Sequence, residues 1–301
     1  MLKILAAGYY GFGNLGDELL AETIANIIGT QHKVTILKKR SAFWSEIKKH
    51  DCLLFGGGSL FQDVTGRGLS LLYYAGMGFI AKIRGKKLFL VGQGIGPIIR
   101  PFNRFIFKLL LKQADFISVR DADSARLLQK LGCKKFILGS DILFWTKFRI
   151  STKLSGKIIA NLRPFGKFQP EQGVKLLEKF APVYVPMQNK IDYGKPLSKK
   201  QVLQFIAGAK LVVGMRLHFL ILAVLFNVPA IGIAYDPKVR AFCRKLKLPC
   251  VELDNIAALP QIITKKLTRL NSTKQKLKRT VLQEEQLAMR SLTKLQEALN
   301  A

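Results

Sequence analysis

Short apolar, β-rich runs alternate with helix-period stretches along almost the whole chain, and this alternation restricts the fold more than any other feature. Such a succession argues for parallel sheets covered by helices on both faces. Runs over 2–7, 33–37, 52–55, 87–91, 115–119 and 135–139 read as six strands of one sheet. The pattern lapses over 144–157, a stretch rich in Ser, Thr and Lys, and a second series follows at 157–162, 182–186, 210–213, 229–233 and 249–252. The expected fold is therefore α/β, with two Rossmann-like doubly wound domains over 1–150 and 151–301. After the first strand, Leu20, Ile24, Ile27 and Ile28 fall on one helical face, and Asp17 stands where that helix would take its N-cap. Residues 274–300 read as a terminal helix that leaves the second domain and packs back on the first.

With 49% hydrophobic and 23% charged residues, the chain of 301 residues has the material for real cores and is not of a disordered or collagen-like class. Its four cysteines form no CxxC pair, which disfavours zinc and disulfide frameworks and fits a reducing cytoplasm. The apolar start Met1–Ala7 runs straight into a glycine turn and reads as a strand, not a signal peptide. The long apolar stretch Leu211–Val228 carries Arg216 and His218 and reads as a buried strand followed by a buried helix. The formal charge of +30 exceeds what solubility or a small substrate requires. Its basic residues are dispersed without interleaved aromatics, so no nucleic acid partner is expected. Contact with an anionic membrane surface accounts for the surplus, and a merely solvated lysine-rich surface accounts for it as well.

Ligands of open α/β sheets bind beyond the carboxyl ends of the strands, so the loops there are the places to look. The first, Gly8–Glu18, contains Gly11, Gly13 and Asn14 in a GxGxxG match, with Asp17 as either catalytic base or helix cap. The acidic residue that a dinucleotide site needs about 20 residues later is replaced by Lys38-Lys39-Arg40, so no dinucleotide cofactor is expected. Gly56-Gly57-Gly58-Ser59 leads to Asp63, and Gln93-Gly94 opens a second glycine turn; both suggest backbone that hugs a ligand. Arg120 ends the fifth strand. Arg216 and His218 stand together inside an apolar run, where they are either satisfied structurally or bind an anion. Lys238 follows the next strand, so Arg120, Arg216, His218 and Lys238 are expected around one dense anion. No metal cluster is visible, and none is expected.

Taken as a set, GYYGFGNLGDE at 8–18, GGGSLFQD at 56–63, GQGIGP at 92–97, SVRD at 118–121, MRLH at 215–218 and GIAYDPK at 232–238 resemble the polysaccharide pyruvyl transferases, in particular the branch acting on cell-wall glycopolymers. The resemblance implies a two-domain fold of GT-B type with an acceptor side and a donor side. It further implies transfer of the enolpyruvyl group of phosphoenolpyruvate to a sugar, giving a ketal and free phosphate. Arg120, His218 and Lys238 are implied for the phosphoenolpyruvate site. His218 then suits the proton transfers, and Asp17 or Asp63 the acceptor hydroxyl. The implied acceptor is a lipid-linked or nucleotide-linked sugar, and the implied location is the cytoplasm, with the inner face of the cell membrane as its extension. A nucleotide-sugar-dependent glycosyltransferase of the same fold is the alternative reading.

Overall fold

A computed structural model describes residues 1–64, 68–151 and 156–301; the stretch expected to lack periodicity, 144–157, includes residues 152–155, which lie outside the described residues. The first half runs β1 (Lys3–Ala7), α1 (Leu15–Ile28), β2 (Lys33–Ile36), α2 (Phe43–Ile47), β3 (Cys52–Gly56), α3 (Leu69–Ile83), β4 (Lys87–Gln93), α4 (Pro101–Gln113), β5 (Phe116–Val119), α5 (Ala122–Lys130) and β6 (Ile137–Leu138). The second runs β7 (Ile158–Asn161), α6 (Pro170–Leu177), β8 (Val183–Tyr184), α7 (Lys199–Ala207), β9 (Leu211–Gly214), α8 (Leu217–Leu225), β10 (Ala230–Ala234), α9 (Pro237–Lys245), β11 (Cys250–Glu252), α10 (Leu259–Leu267) and α11 (Leu270–Asn300). Each expected run is a strand, its ends shifted by a residue or two.

The strands form two sheets, ordered β2-β1-β3-β4-β5-β6 and β11-β10-β9-β7-β8, with every neighbouring pair parallel. Burial on both faces is why β3, β9 and β10 read as unbroken apolar runs; every residue in them is buried. By contact, the chain divides into two compact units. Unit 1 holds Met1–Phe12, Asp17–Thr146 and Glu284–Ala301, and unit 2 holds Gly13–Gly16 and Lys147–Gln283.

In unit 1, Phe55, Phe61, Tyr74 and Phe107 anchor the core between β3 and helices α3 and α4, with Phe55 edge-on to Phe61 at 5.4 Å between ring centres. The last residues of α11 belong to this unit: the Trp145 indole N–H donates to the Ala288 carbonyl at 2.9 Å, and Leu292, Leu295 and Leu299 are buried. In unit 2, α8 is apolar apart from His218 and buried from Leu217 to Val224, as a central helix must be. The stretch Leu211–Val228 is thus a strand and a nine-residue helix, and among the described residues no helix is long and apolar enough to cross a membrane. One local expectation is corrected. Helix α1 starts at Leu15, and Asn14 Oδ1 accepts the Gly16 N–H at 3.3 Å, so capping falls to Asn14 while Asp17 lies in the first turn.

Candidate active site

In unit 1, β1 lies between β2 and β3, so the winding reverses there, and the loops that follow β1, β3, β4 and β5 all leave the same sheet edge. Two of the glycines are demanded by a positive φ, and one of them by space as well. Gly57 has φ +65°, and a Cβ there would stand 2.9 Å from Leu20. Gly58 has φ +75°, and its missing Cβ faces Asp17 Oδ1 at 3.5 Å and Leu60 at 3.9 Å, ordinary contact distances. Asp17 and Gly58 therefore share one spot at the switch point. Gln93, fully buried, donates its amide to the carbonyls of Phe55 at 3.0 Å and Gly57 at 2.9 Å. It shapes the glycine turn from beneath.

Arg120 is buried across Gly94, where a Cβ would stand 2.5 Å from the guanidinium. Its Nη2 donates to Ser59 Oγ at 2.8 Å and its Nη1 to Asp141 at 3.3 Å, with Asp121 at 3.5 Å from Nε. Three residues singled out by sequence, Ser59, Gly94 and Arg120, are thus one cluster. Two carboxylates balance its charge. Asp63 is elsewhere: its buried carboxylate accepts from the N–H groups of Ile99 at 2.7 Å and Arg100 at 2.8 Å and from Asn103 at 3.2 Å. Those bonds occupy it as a fastener of the segment leading into α4.

Tyr10 closes the β1 loop, donating its hydroxyl to the Gly56 carbonyl at 2.5 Å. Burial, and then the negative charge of Asp17, hold its phenol well above the usual range, so it stays a donor. Gly11 has φ +81°, and its N–H is taken by the Glu18 carboxylate at 2.7 Å. Around this loop lies an aromatic shelf that sequence reasoning did not find. Tyr9 and Phe12 stack at 4.5 Å, both partly exposed, and the Arg40 guanidinium stands 5.3 Å from the Phe12 ring and 4.9 Å from Tyr73.

In unit 2 the corresponding edge carries the ends of β7, β9 and β10. His218 is buried in the first turn of α8, against the backbone of Gly16; a Cβ on Gly16 would collide with its Cβ, Cγ and Nδ1. Gly13, with φ +71°, has open space where its Cβ would be. Lys238 begins α9 on the neighbouring strand, partly exposed, with its Nζ 3.2 Å from Asp236, the residue that caps the helix through the Lys238 N–H. Two helix N-termini therefore stand side by side with a histidine and a lysine on them, a setting that favours an anion.

Arg216 is built in differently. Its Nε lies 3.0 Å from both Asp192 oxygens, and its Nη2 donates to Asp192 at 2.5 Å and to Gln188 at 2.9 Å. The same carboxylate accepts from Asn161 at 3.0 Å and from the N–H groups of Met187 at 3.0 Å and Gln188 at 3.2 Å. Of the two readings left open for Arg216, structural satisfaction is the one the geometry supports. Arg163 takes its place as a cation at this edge. Half-buried after β7, it makes no ion pair with a carboxylate among the described residues, lies 5.3 Å from the Tyr235 ring and donates its N–H to Met215 Sδ at 3.3 Å. An arginine just past a buried strand was the signal that singled out Arg120, and it was present here too. Among the described residues no group of three His, Cys, Asp or Glu side chains is placed to hold a metal ion.

Residues 14–237 match the family model described as polysaccharide pyruvyl transferase. The chain belongs to that family. The amylovoran biosynthesis protein AmsJ of Erwinia amylovora is a relative at 21% identity over 262 residues, covering 69% of this chain and 62% of AmsJ, so the match spans less than two thirds of that relative. Similar solved structures include Anabaena Alr3699/HepE in complex with UDP and glucose, with a TM-score of 0.61 at 12% identity and all of both chains covered. A putative UDP-N-acetylglucosamine 2-epimerase from Listeria monocytogenes has a TM-score of 0.64 at 12% identity, over 99% of this chain and 96% of that one. These likenesses establish the GT-B type of the fold. The family match takes in Asn14, Asp17, the Ser59–Arg120 cluster, Arg163 and His218; Lys238 follows directly after it.

Proposed function

We propose that this protein transfers the enolpyruvyl group of phosphoenolpyruvate to a sugar of a surface polysaccharide precursor, forming a pyruvate ketal and releasing phosphate. The observation that carries this reading is the pairing of His218 and Lys238 on the neighbouring N-termini of α8 and α9. Phosphoenolpyruvate presents a phosphate and a carboxylate, and helix N–H groups with Lys238 and Arg163 suit both. The methylene carbon takes a proton and becomes a methyl group, leaving an oxocarbenium-like centre. Two sugar hydroxyls each lose a proton as they bond to that centre, and the carbon–oxygen bond to phosphate breaks. One of these protons replaces the proton given to the methylene, and the other leaves with phosphate. His218 is assigned the proton transfer to carbon. Asp17, in the first turn of α1 beside Gly58, is assigned to the acceptor hydroxyl, and the Tyr9–Phe12 shelf offers the flat apolar surface on which sugar rings stack.

The acceptor is a lipid-linked or nucleotide-linked sugar, met in the cytoplasm or at the membrane face; the UDP and glucose of the HepE structure favour the nucleotide-linked form. The test is phosphate release from phosphoenolpyruvate with each acceptor type, with the ketal identified by mass. Release is expected only when the acceptor is present. Replacing His218 with Gln should cut turnover by about a hundredfold or more with donor affinity changed only a few-fold. Saturable transfer from a UDP-sugar, with phosphoenolpyruvate inert, would instead establish the glycosyltransferase alternative.

A further inference from the structure

Unit 2 contains a second concave site that the reaction does not use. It lies at the amino end of β11, the opposite side of the second sheet from His218 and Lys238, between the end of α9 and helices α10 and α11. Its volume is about 590 Å³, inside the range of roughly 300 to 1,000 Å³ usual for small-molecule sites. Leu246, Leu248, Pro249, Ile262 and Leu277 give it apolar walls. Lys247, Lys265, Lys266, Arg269 and Lys276 stand around it, and no Asp or Glu lines it. None of the five cations makes an ion pair among the described residues. The Lys266 ammonium is pushed below its ordinary value, chiefly by burial and then by Lys276, so positive charge is held here against its own repulsion. All these residues lie beyond the stretch matched by the family model.

Five convergent cations are wasteful for a packed core and poor for a protein neighbour of ordinary composition. A cavity that is apolar within and uniformly cationic at its rim is complementary to one ligand chemistry, a phosphate group carried on a hydrocarbon chain. We propose that this cavity binds the phosphate headgroup of an anionic lipid, with the proximal part of the chain along Leu248, Ile262 and Leu277. The site would thereby hold unit 2 at an anionic membrane surface independently of catalysis. This concentrates in one place a membrane contact that the overall charge of +30 makes only diffuse.

The experiment measures binding of dioctanoyl phosphatidic acid, below its micellar concentration, to the full chain by titration calorimetry, with inorganic phosphate as the headgroup without its chain. Saturable binding is expected for the lipid, with inorganic phosphate bound at least about tenfold more weakly. The double variant Lys266→Gln/Arg269→Gln should lose about tenfold or more of lipid affinity, whereas Lys274→Gln/Lys278→Gln, an equal charge change on the adjoining helix α11 outside the cavity, should keep it. A filling variant, Thr273→Trp, should weaken lipid binding without altering charge. Equal losses in the two charge-matched doubles, equal affinity for phosphate and lipid, or undiminished binding to the filled variant would each overturn the proposal. Phosphate release by the Lys266→Gln/Arg269→Gln protein with a water-soluble acceptor reports on the active site separately.

Discussion

Replacing Asp192 with Ala is the sharpest probe of unit 2, because one carboxylate with no exposed surface holds five N–H donors: two from Arg216, one from Asn161 and two from the backbone. Breaking a buried ion pair by removing one partner costs roughly 3 to 5 kcal/mol, since the stranded charge cannot be rehydrated. For a unit of this size that corresponds to a drop in melting temperature of about 6 to 20 °C. Scanning calorimetry reads the drop, and hydrogen exchange assigns it to unit 2 peptides. If the pair is structural, Asp192→Leu combined with Arg216→Met should be far less damaging than the two single effects added together, with a coupling of about 3 kcal/mol or less. Strictly additive single effects, or an Arg216→Met protein of parental stability that binds phosphoenolpyruvate poorly, would refute the structural assignment and return Arg216 to the anion site.

Replacing Arg163 with Ala should raise the apparent Kd for phosphoenolpyruvate by about tenfold or more, the size of a charge-assisted contact, with the melting temperature nearly unchanged. Gly16→Ala is compatible with a helix start but forces His218 aside, so activity should fall well beyond any loss of stability, as parallel melting and turnover measurements would reveal. Gly94→Ala should displace the Arg120 guanidinium and break its bond to Ser59, destabilising the chain by about 1 to 3 kcal/mol in urea titrations. His32 accepts the Leu2 N–H on Nδ1 at 3.4 Å, and burial, more than the nearby terminal ammonium, lowers its pKa from 6.5. The unfolded chain therefore takes up that proton first, and stability should decline as pH falls through 6.5 and below; a His32→Gln variant should show a shallower decline.

The parts of the molecule legible in the sequence are those dictated by local chemistry. Strands such as Cys52–Gly56 and Leu211–Gly214 are buried on both faces, so apolarity alone reveals them, and Gly57 and Gly58 announce a turn that other residues cannot make. Asp17 and Asn14 are both capping types three residues apart, and only the observed start of α1 decides between them. Asp192 was out of reach: it sits in an aperiodic stretch after β8, and its meaning comes from Asn161 and Arg216, which approach it across 31 and 24 residues of sequence. Arg163 was within reach. The aromatic shelf was not, because Arg40 meets Phe12 and Tyr73 only through the packing of three separate loops and helices.

Gln93 gives the glycine turn after β3 a property its composition would not suggest. With the Phe55 and Gly57 carbonyls held by a buried amide, the Gly57 N–H bonded to Val91 and the Gly94 N–H to Gly58, these peptide groups open only when β3 and β4 themselves separate. Amide hydrogens there should exchange on the timescale of the sheet, not of a surface loop. Because the sheet itself holds the turn in place, a ligand meeting it would leave little chain entropy to be lost on association.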